Sequence, residues 1–137
     1  MRFNGKVVVG TGAAGGIGSA IASRFADEGA HVIVADVNAA GADSVAAALV
    51  AQGKSARAFA SDIGSRAGCV ALIDSVQGSE GRIDVLCNNA GINRRGALLT
   101  LTPEDWDVSF AVNLDAMFHL CQAALPALEE LRKEFPA

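Results

Sequence analysis

The amino-acid sequence predicts an α/β fold, a parallel sheet covered by helices on both faces. Three observations carry this. Short apolar runs rich in valine alternate with segments of helical period. Glycine or polar turns separate the two kinds of segment. Hydrophobic residues make up 51% and charged residues only 19% of the chain, which suits strands buried on both faces. At 137 residues the chain is expected to form a single domain, 1–137.

The elements follow in order. Lys6 to Gly10 is an apolar run too short for a helix and closed by glycine. Residues 16–28 have helical period, with Ile17, Ala20, Ile21 and Phe25 expected on the inward face and Gly29 as the stop. His31 to Asp36 is a buried-type strand ending in an acid. Residues 39–51 predict a helix with Val45, Ala48 and Leu49 inward, and Gly53 ends it. A strand over Ser55 to Ala60 leads to a helix over 65–78 that turns Val70, Ile73 and Val76 to one side. Ile83 to Cys87 is the fourth strand, and a polar loop runs from Asn88 to Leu101. Thr102-Pro103-Glu104-Asp105 is a helix start: a capping hydroxyl, proline at the first helical position, then acids in the first turn. That helix is expected to run toward Glu134, with bends near Asn113 and Pro126. Trp106 and Phe110, four apart, read as helix packing. Right-handed crossovers place the four strands in the order 3-2-1-4.

Charge and composition exclude several functions. The net charge is −4, and basic residues adjoin only in short pairs such as Arg94-Arg95, so no stripe for nucleic acid exists. No apolar run approaches the length of a membrane span, and Met1 to Lys6 has no signal core. A cytoplasmic protein is expected. Cys69, Cys87 and Cys121 form no Cys-x-x-Cys pair, and His31 and His119 lie near no ligand cluster. They read as reduced thiols and no metal site is expected.

The strongest local signal is Gly10-Thr11-Gly12-Ala13-Ala14-Gly15-Gly16-Ile17-Gly18, between a strand and a helix. A pyrophosphate must approach the backbone closely, and glycine leaves the room. The helix N-terminus then offers free N–H groups and partial positive charge to the anion. Two registers fit: Gly10, Gly12 and Gly15 as G-x-G-x-x-G, or Thr11, Gly12, Gly16 and Gly18 as T-G-x-x-x-G-x-G. Asp36, ending the second strand, stands where an adenosine ribose would lie. Its carboxylate would bind the ribose hydroxyls and repel a 2′-phosphate, which points to NAD rather than NADP. A strand-end aspartate that only caps the next helix is the competing reading.

Three further features complete a pattern: Asp62-Ile63 after the third strand, Asn88-Asn89-Ala90-Gly91 after the fourth, and Asn113 in the long helix. With the second glycine register, the chain resembles the short-chain dehydrogenase/reductase family over nearly its whole length. The resemblance implies a Rossmann-type, doubly wound fold and hydride transfer between NAD and an alcohol or carbonyl substrate. Gly12, Gly16 and Gly18 would shape the pyrophosphate turn, and Ile17 would back the nicotinamide. Asp62 would accept from the adenine amino group, with Ile63 beside the ring. Asn89, Ala90 and Gly91 would line the cofactor. Asn113 would hold a relay water through its backbone, its helix locally distorted. Each has a plainer structural alternative: Asp62 as a turn residue, Asn89 as a loop amide serving strand-end backbone, Asn113 as a helix amide with a local partner.

The family's chemistry also calls for a Ser and a Tyr-x-x-x-Lys. The chain has no tyrosine, and Lys133 is its one lysine after Lys54. The expectation is a truncated, inactive member, or a non-catalytic dinucleotide-binding module. A free fourth strand and an uncovered helix face would favour a homo-oligomer.

Overall fold

A computed structural model describes residues 1–134. Four parallel strands, β1 (Val7–Thr11), β2 (His31–Asp36), β3 (Ser55–Ala60) and β4 (Val85–Cys87), lie in the order β3-β2-β1-β4. The helices between them are α1 (Gly16–Asp27), α2 (Ala39–Ala51) and α3 (Arg66–Glu80). After β4 come α4 (Pro103–Phe110), a π-turn (Ala111–Asp115) and α5 (Ala116–Glu134). The predicted class and strand order are those observed.

Side-chain alternation along the strands divides the core in two. Val7, Val9, Ile33 and Ala35 point to one face, where Leu72, Ile73 and Val76 of α3 meet Ala116, Leu120 and Ala124 of α5. Val8, Val32 and Val34 point to the other, covered by Ala22 and Ala26 of α1 and Ala42, Ala46 and Leu49 of α2. Full burial of a side chain such as Ile33 contributes roughly 1.5–3 kcal/mol.

The second layer corrects the expected helix faces. In α1 the buried residues are Gly18, Ala22 and Ala26, whereas Ile17 and Ala20 are exposed and Ile21 and Phe25 half-buried. In α2, Ala42, Ala46 and Leu49 are buried and Ala48 is outside. These helices lie close to the sheet, and closeness selects small side chains over large ones. In α3, Cys69 and Leu72 join Ile73 and Val76 inside, while Val70 is half-buried. This helix continues two residues past 78 and stops at Gly81, which takes φ +71° and donates its N–H to Gln77.

The fourth strand begins at Val85 rather than Ile83. Asp84 instead serves β1: its N–H donates to Val7 O (2.9 Å) and its carboxylate accepts from Val7 N–H (2.8 Å). Burial works against the Asp84 carboxylate, but hydrogen bonds from Arg82, Val7 and Lys6 hold it below its ordinary range.

Thr102 and Asp105 close a capping box on α4, with Pro103 in the first turn as expected. The expected distortion at Asn113 is the π-turn, and α5 continues through Pro126. Trp106 and Phe110 stack on each other at 4.5 Å on the surface, and no residue of α4 is buried. By length and composition alone, Pro103–Leu131 is long and apolar enough to cross a bilayer, with mean hydropathy 1.2. That corrects the expectation that nothing in the chain reaches such a length. Its inner face is nonetheless committed to α3, through Ala116, Leu120, Ala124 and Ala127. Its outer face leaves Trp106, Phe118 and Leu125 more than half exposed.

At the N-terminal end of the sheet, Glu80 ties three elements together. Arg57 of β3 donates to both its oxygens (2.7 and 2.8 Å) and also to Ser75. His31 of β2 lies 3.4 Å from Glu80 and shares a 2.6 Å hydrogen bond with Ser55. The Arg57 hydrogen bonds, opposed by burial and aided by His31, hold the Glu80 carboxyl below its ordinary range. The unfolded chain therefore takes up this proton more readily. The contribution is present above about pH 4.3 and is lost as pH falls through the lowered folded value. Glu80→Gln should lose about 1–3 kcal/mol at neutral pH and flatten the acid-side decline in melting temperature. A variant whose acid profile overlays the parent's would remove the clamp from the account of stability.

Candidate functional site

A cleft of about 410 Å³ opens at the C-terminal end of the strands. β1 is its floor, with β2 on one side and β4 on the other, so it lies where the strand order reverses. Crevices at such switch points are where open α/β sheets bind ligands. Ten of the twelve sequence-expected residues line it: Thr11, Gly12, Ile17, Gly18, Asp36, Asp62, Ile63, Asn89, Ala90 and Gly91. Gly16 and Asn113 stand outside the lining.

The backbone selects the second glycine register. Gly12 has φ +62°, and a Cβ there would lie 2.7 Å from Ala90 Cα. Gly16 opens α1 at φ +55°. A Cβ on Gly18 would fall 2.0 Å from Gly12 O and 2.7 Å from the Asn89 amide nitrogen. Gly10 has no such need, since its Cβ would meet nothing nearer than 3.8 Å. Gly15 is extended and open, and acts as the N-cap of α1.

That cap sets α1 apart. Asn38, Ser65 and Thr102 each accept an N–H at the start of α2, α3 and α4. No side chain caps α1, and no acid sits in its first turn. The N–H groups of the one uncapped start among these four helices therefore face the cleft with their partial positive charge intact. An anion held there would meet donors that the fold leaves unassigned.

Asp36 is fixed at the opposite end. One carboxylate oxygen accepts from Ala14 N–H (3.0 Å) and the other from Asn38 N–H (2.9 Å). The first bond ties the acid to the glycine turn, so the two are positioned together. Each oxygen keeps a lone pair for a further donor.

Thr11 and Asn89 close the turn against β4. Thr11 is 2% exposed, and its hydroxyl is the joint. It donates to Cys87 O (3.3 Å) and accepts from the N–H groups of Asn89 and Ala90 (both 3.2 Å). The Asn89 side chain donates to Thr11 O (3.1 Å) and Gly12 O (3.3 Å). Asn89 thus serves strand-end backbone while lining the cleft.

On the far wall, Asp62 is exposed and accepts from Gly64 N–H (2.9 Å), leaving its other oxygen toward solvent. Asn113 binds one residue with both ends of its amide: Oδ1 accepts from Ile92 N–H and Nδ2 donates to Ile92 O, both at 2.8 Å. Burial pushes the Cys69 and Cys87 thiols up, with Asp62 adding to the effect at Cys69, so neither is a thiolate at neutral pH. Arg94 and Arg95 are exposed and line no part of the cleft.

The short chain dehydrogenase family matches residues 6–134. The chain belongs to that family. D-threitol dehydrogenase of Mycolicibacterium smegmatis is 44% identical over 122 residues, which is 89% of this chain and 47% of the relative. Meso-2,3-butanediol dehydrogenase of Serratia marcescens is 41% identical, over 93% of this chain and 50% of its own. Among solved structures, a metagenomic short-chain oxidoreductase in complex with NADP superposes with a TM-score of 0.92 at 36% identity, covering 96% of this chain and 60% of that one. A short chain dehydrogenase from Burkholderia cenocepacia J2315, also with NADP, gives 0.88 at 38% identity over 93% and 53%. The chain spans about half the length of the curated relatives it matches.

Several residues of this short-chain dehydrogenase cleft escape a sequence reading: Val37, Ser61, Ile92 and Val112. Val37 and Ile92 directly follow Asp36 and Gly91, Ser61 and Val112 directly precede Asp62 and Asn113, and adjacency was their one signal.

Thr11→Val keeps the shape of the side chain but leaves two N–H groups without their acceptor. It should cost about 1–3 kcal/mol, read as a lower urea midpoint at unchanged m. An unchanged midpoint would show that the hydroxyl does not hold the turn to β4.

Proposed function

We propose that this short-chain dehydrogenase chain binds a nicotinamide adenine dinucleotide, NAD in preference to NADP, as the coenzyme-holding part of an alcohol or carbonyl oxidoreductase. One observation carries the reading. The uncapped N-terminus of α1 and the anchored carboxylate of Asp36 stand at the same cleft, tied together through Ala14. The glycine crowding at positions 12 and 18 supports the fit, because the turn is held too close to its neighbours for side chains. The preference for NAD rests on charge: Asp36 lines the cleft, and no Lys or Arg is among the described lining residues to balance a 2′-phosphate.

The roles divide along the cleft. N–H groups at the start of α1 would hold the pyrophosphate, Asp36 the adenosine ribose, and Asp62 and Ile63 the adenine. Ile17, 76% exposed at the mouth, would back the nicotinamide. When bound, the dinucleotide supplies the hydride acceptor or donor. The Asn113 side chain is tied to Ile92 by one bond given and one accepted, and its main chain in the π-turn would hold a relay water. These residues include no tyrosine, and a non-catalytic dinucleotide-binding module rests on the same cleft. We place the protein in the cytoplasm, where its free thiols stay reduced. We also propose a homo-oligomer that covers the exposed Trp106, Phe118 and Leu125.

Titration with NADH, followed by its fluorescence, should give saturable binding. Asp36→Ala should weaken it roughly tenfold to a hundredfold, the loss of hydrogen bonds to a charged group, and narrow the gap between NADH and NADPH. Absence of saturable binding in the parent chain would overturn the proposal. Light scattering on the eluted protein tests the oligomer, and a monodisperse monomer at high concentration would refute it.

A further inference from the structure

The π-turn gives two adjacent residues different duties. Val112 lines the cleft, and its Cγ2 lies 3.4 Å from where a Cβ on Gly64 would be. The valine therefore completes the wall formed by Asp62, Ile63 and Gly64. The next residue, Asn113, grips the backbone of Ile92 from both sides of its amide. Its Oδ1 lies 3.4 Å from a would-be Cβ on Gly91. Ile92 and Gly91 line the same cleft. Single π-turns inside helices are uncommon and concentrate at functional sites. This one is held by the pair of hydrogen bonds at Ile92, while Val112 shares the cleft wall with Gly64.

Successive residues of one turn cannot move independently. A planar base packed against Ile63, Gly64 and Val112 would press on the same backbone that carries Asn113. A ligand shifts such an element only through unequal contact with its two arrangements, and Val112 is the cleft-lining residue of the turn where that contact would fall. We infer that Val112 is a positioning residue, through which a purine seated at the Asp62 end of the cleft tightens the Asn113–Ile92 clamp at the other end. The inference rests on the dinucleotide reading and deepens it: the adenine half of the ligand would set the geometry at the end where hydride moves.

Hydrogen exchange of the Ile92 amide, followed by NMR on the whole chain, tests this with AMP and ribose 5-phosphate as probes and calorimetry to register binding. AMP should slow Ile92 exchange about fivefold or more. Ribose 5-phosphate, which lacks the purine, should leave it unchanged at saturation. Val112→Ala should bind AMP more weakly and, when saturated with it, lose the slowing, and Val112→Ile should keep it. AMP that binds without slowing Ile92, or equal slowing by both probes, would overturn the inference while sparing the dinucleotide reading. Failure of AMP to bind by calorimetry would overturn both. The comparison of probes on the parent chain stands even if Val112→Ala fails to fold.

Discussion

The site depends on one buried hydroxyl. Thr11 ends β1 at the point where the chain's crossovers change side, and there two strand ends must be joined without a ladder. Its oxygen receives two N–H groups from the segment after β4 and gives its own hydrogen to Cys87. Each of these backbone groups would otherwise be stranded beside a nearly closed interior, at a cost comparable to the bond itself. The junction also fixes how near the glycine turn comes to Ala90, and so explains why positions 12 and 18 admit no side chain.

Around that junction the fold spends its capping groups unevenly. Three helices have their first N–H groups satisfied by their own side chains, and the fourth does not. The exception opens on the cleft. Leaving donors unassigned weakens a helix end slightly, which is tolerable because α1 is anchored by its contact with the sheet through Ala22 and Ala26. Stability and readiness for an anion are thus separated along one helix: packing at its middle and end, open donors at its start. The Glu80 cluster, at the other end of the sheet, contributes to cohesion without touching the cleft.

Much of this was legible in the residues. Strand runs, their order and the strand-end acid follow from local composition and the handedness of crossovers, neither of which needs distant contacts. The register of the glycine turn was open because spacing alone fits two patterns; only the positions of Ala90 and Asn89 across the turn decide it. The faces of α1 and α2 were misjudged in part, since Leu49 is buried and Phe25 and Val45 pack against the core while Ile17, Ala20 and Ala48 lie outside, and the reason is physical. Period-based reading follows large apolar side chains such as Ile17 and Ile21, but a helix lying close to a sheet buries alanine and glycine instead. Val112 and Ile92 were missed because their importance lies in who faces them across the cleft.

The alanine layer has a consequence of its own. Between the sheet and α1 the helix buries only the methyls of Ala22 and Ala26, set against Val8, Val32 and Val34. That layer acts as a shim, since the height of the helix above the strands decides where its leading end rests relative to Asp36. A single added methylene would lift the axis and swing the open donors out of line with the acid, although neither had been altered. The chain's many alanines are, in this light, a gauge of distance as much as a filling.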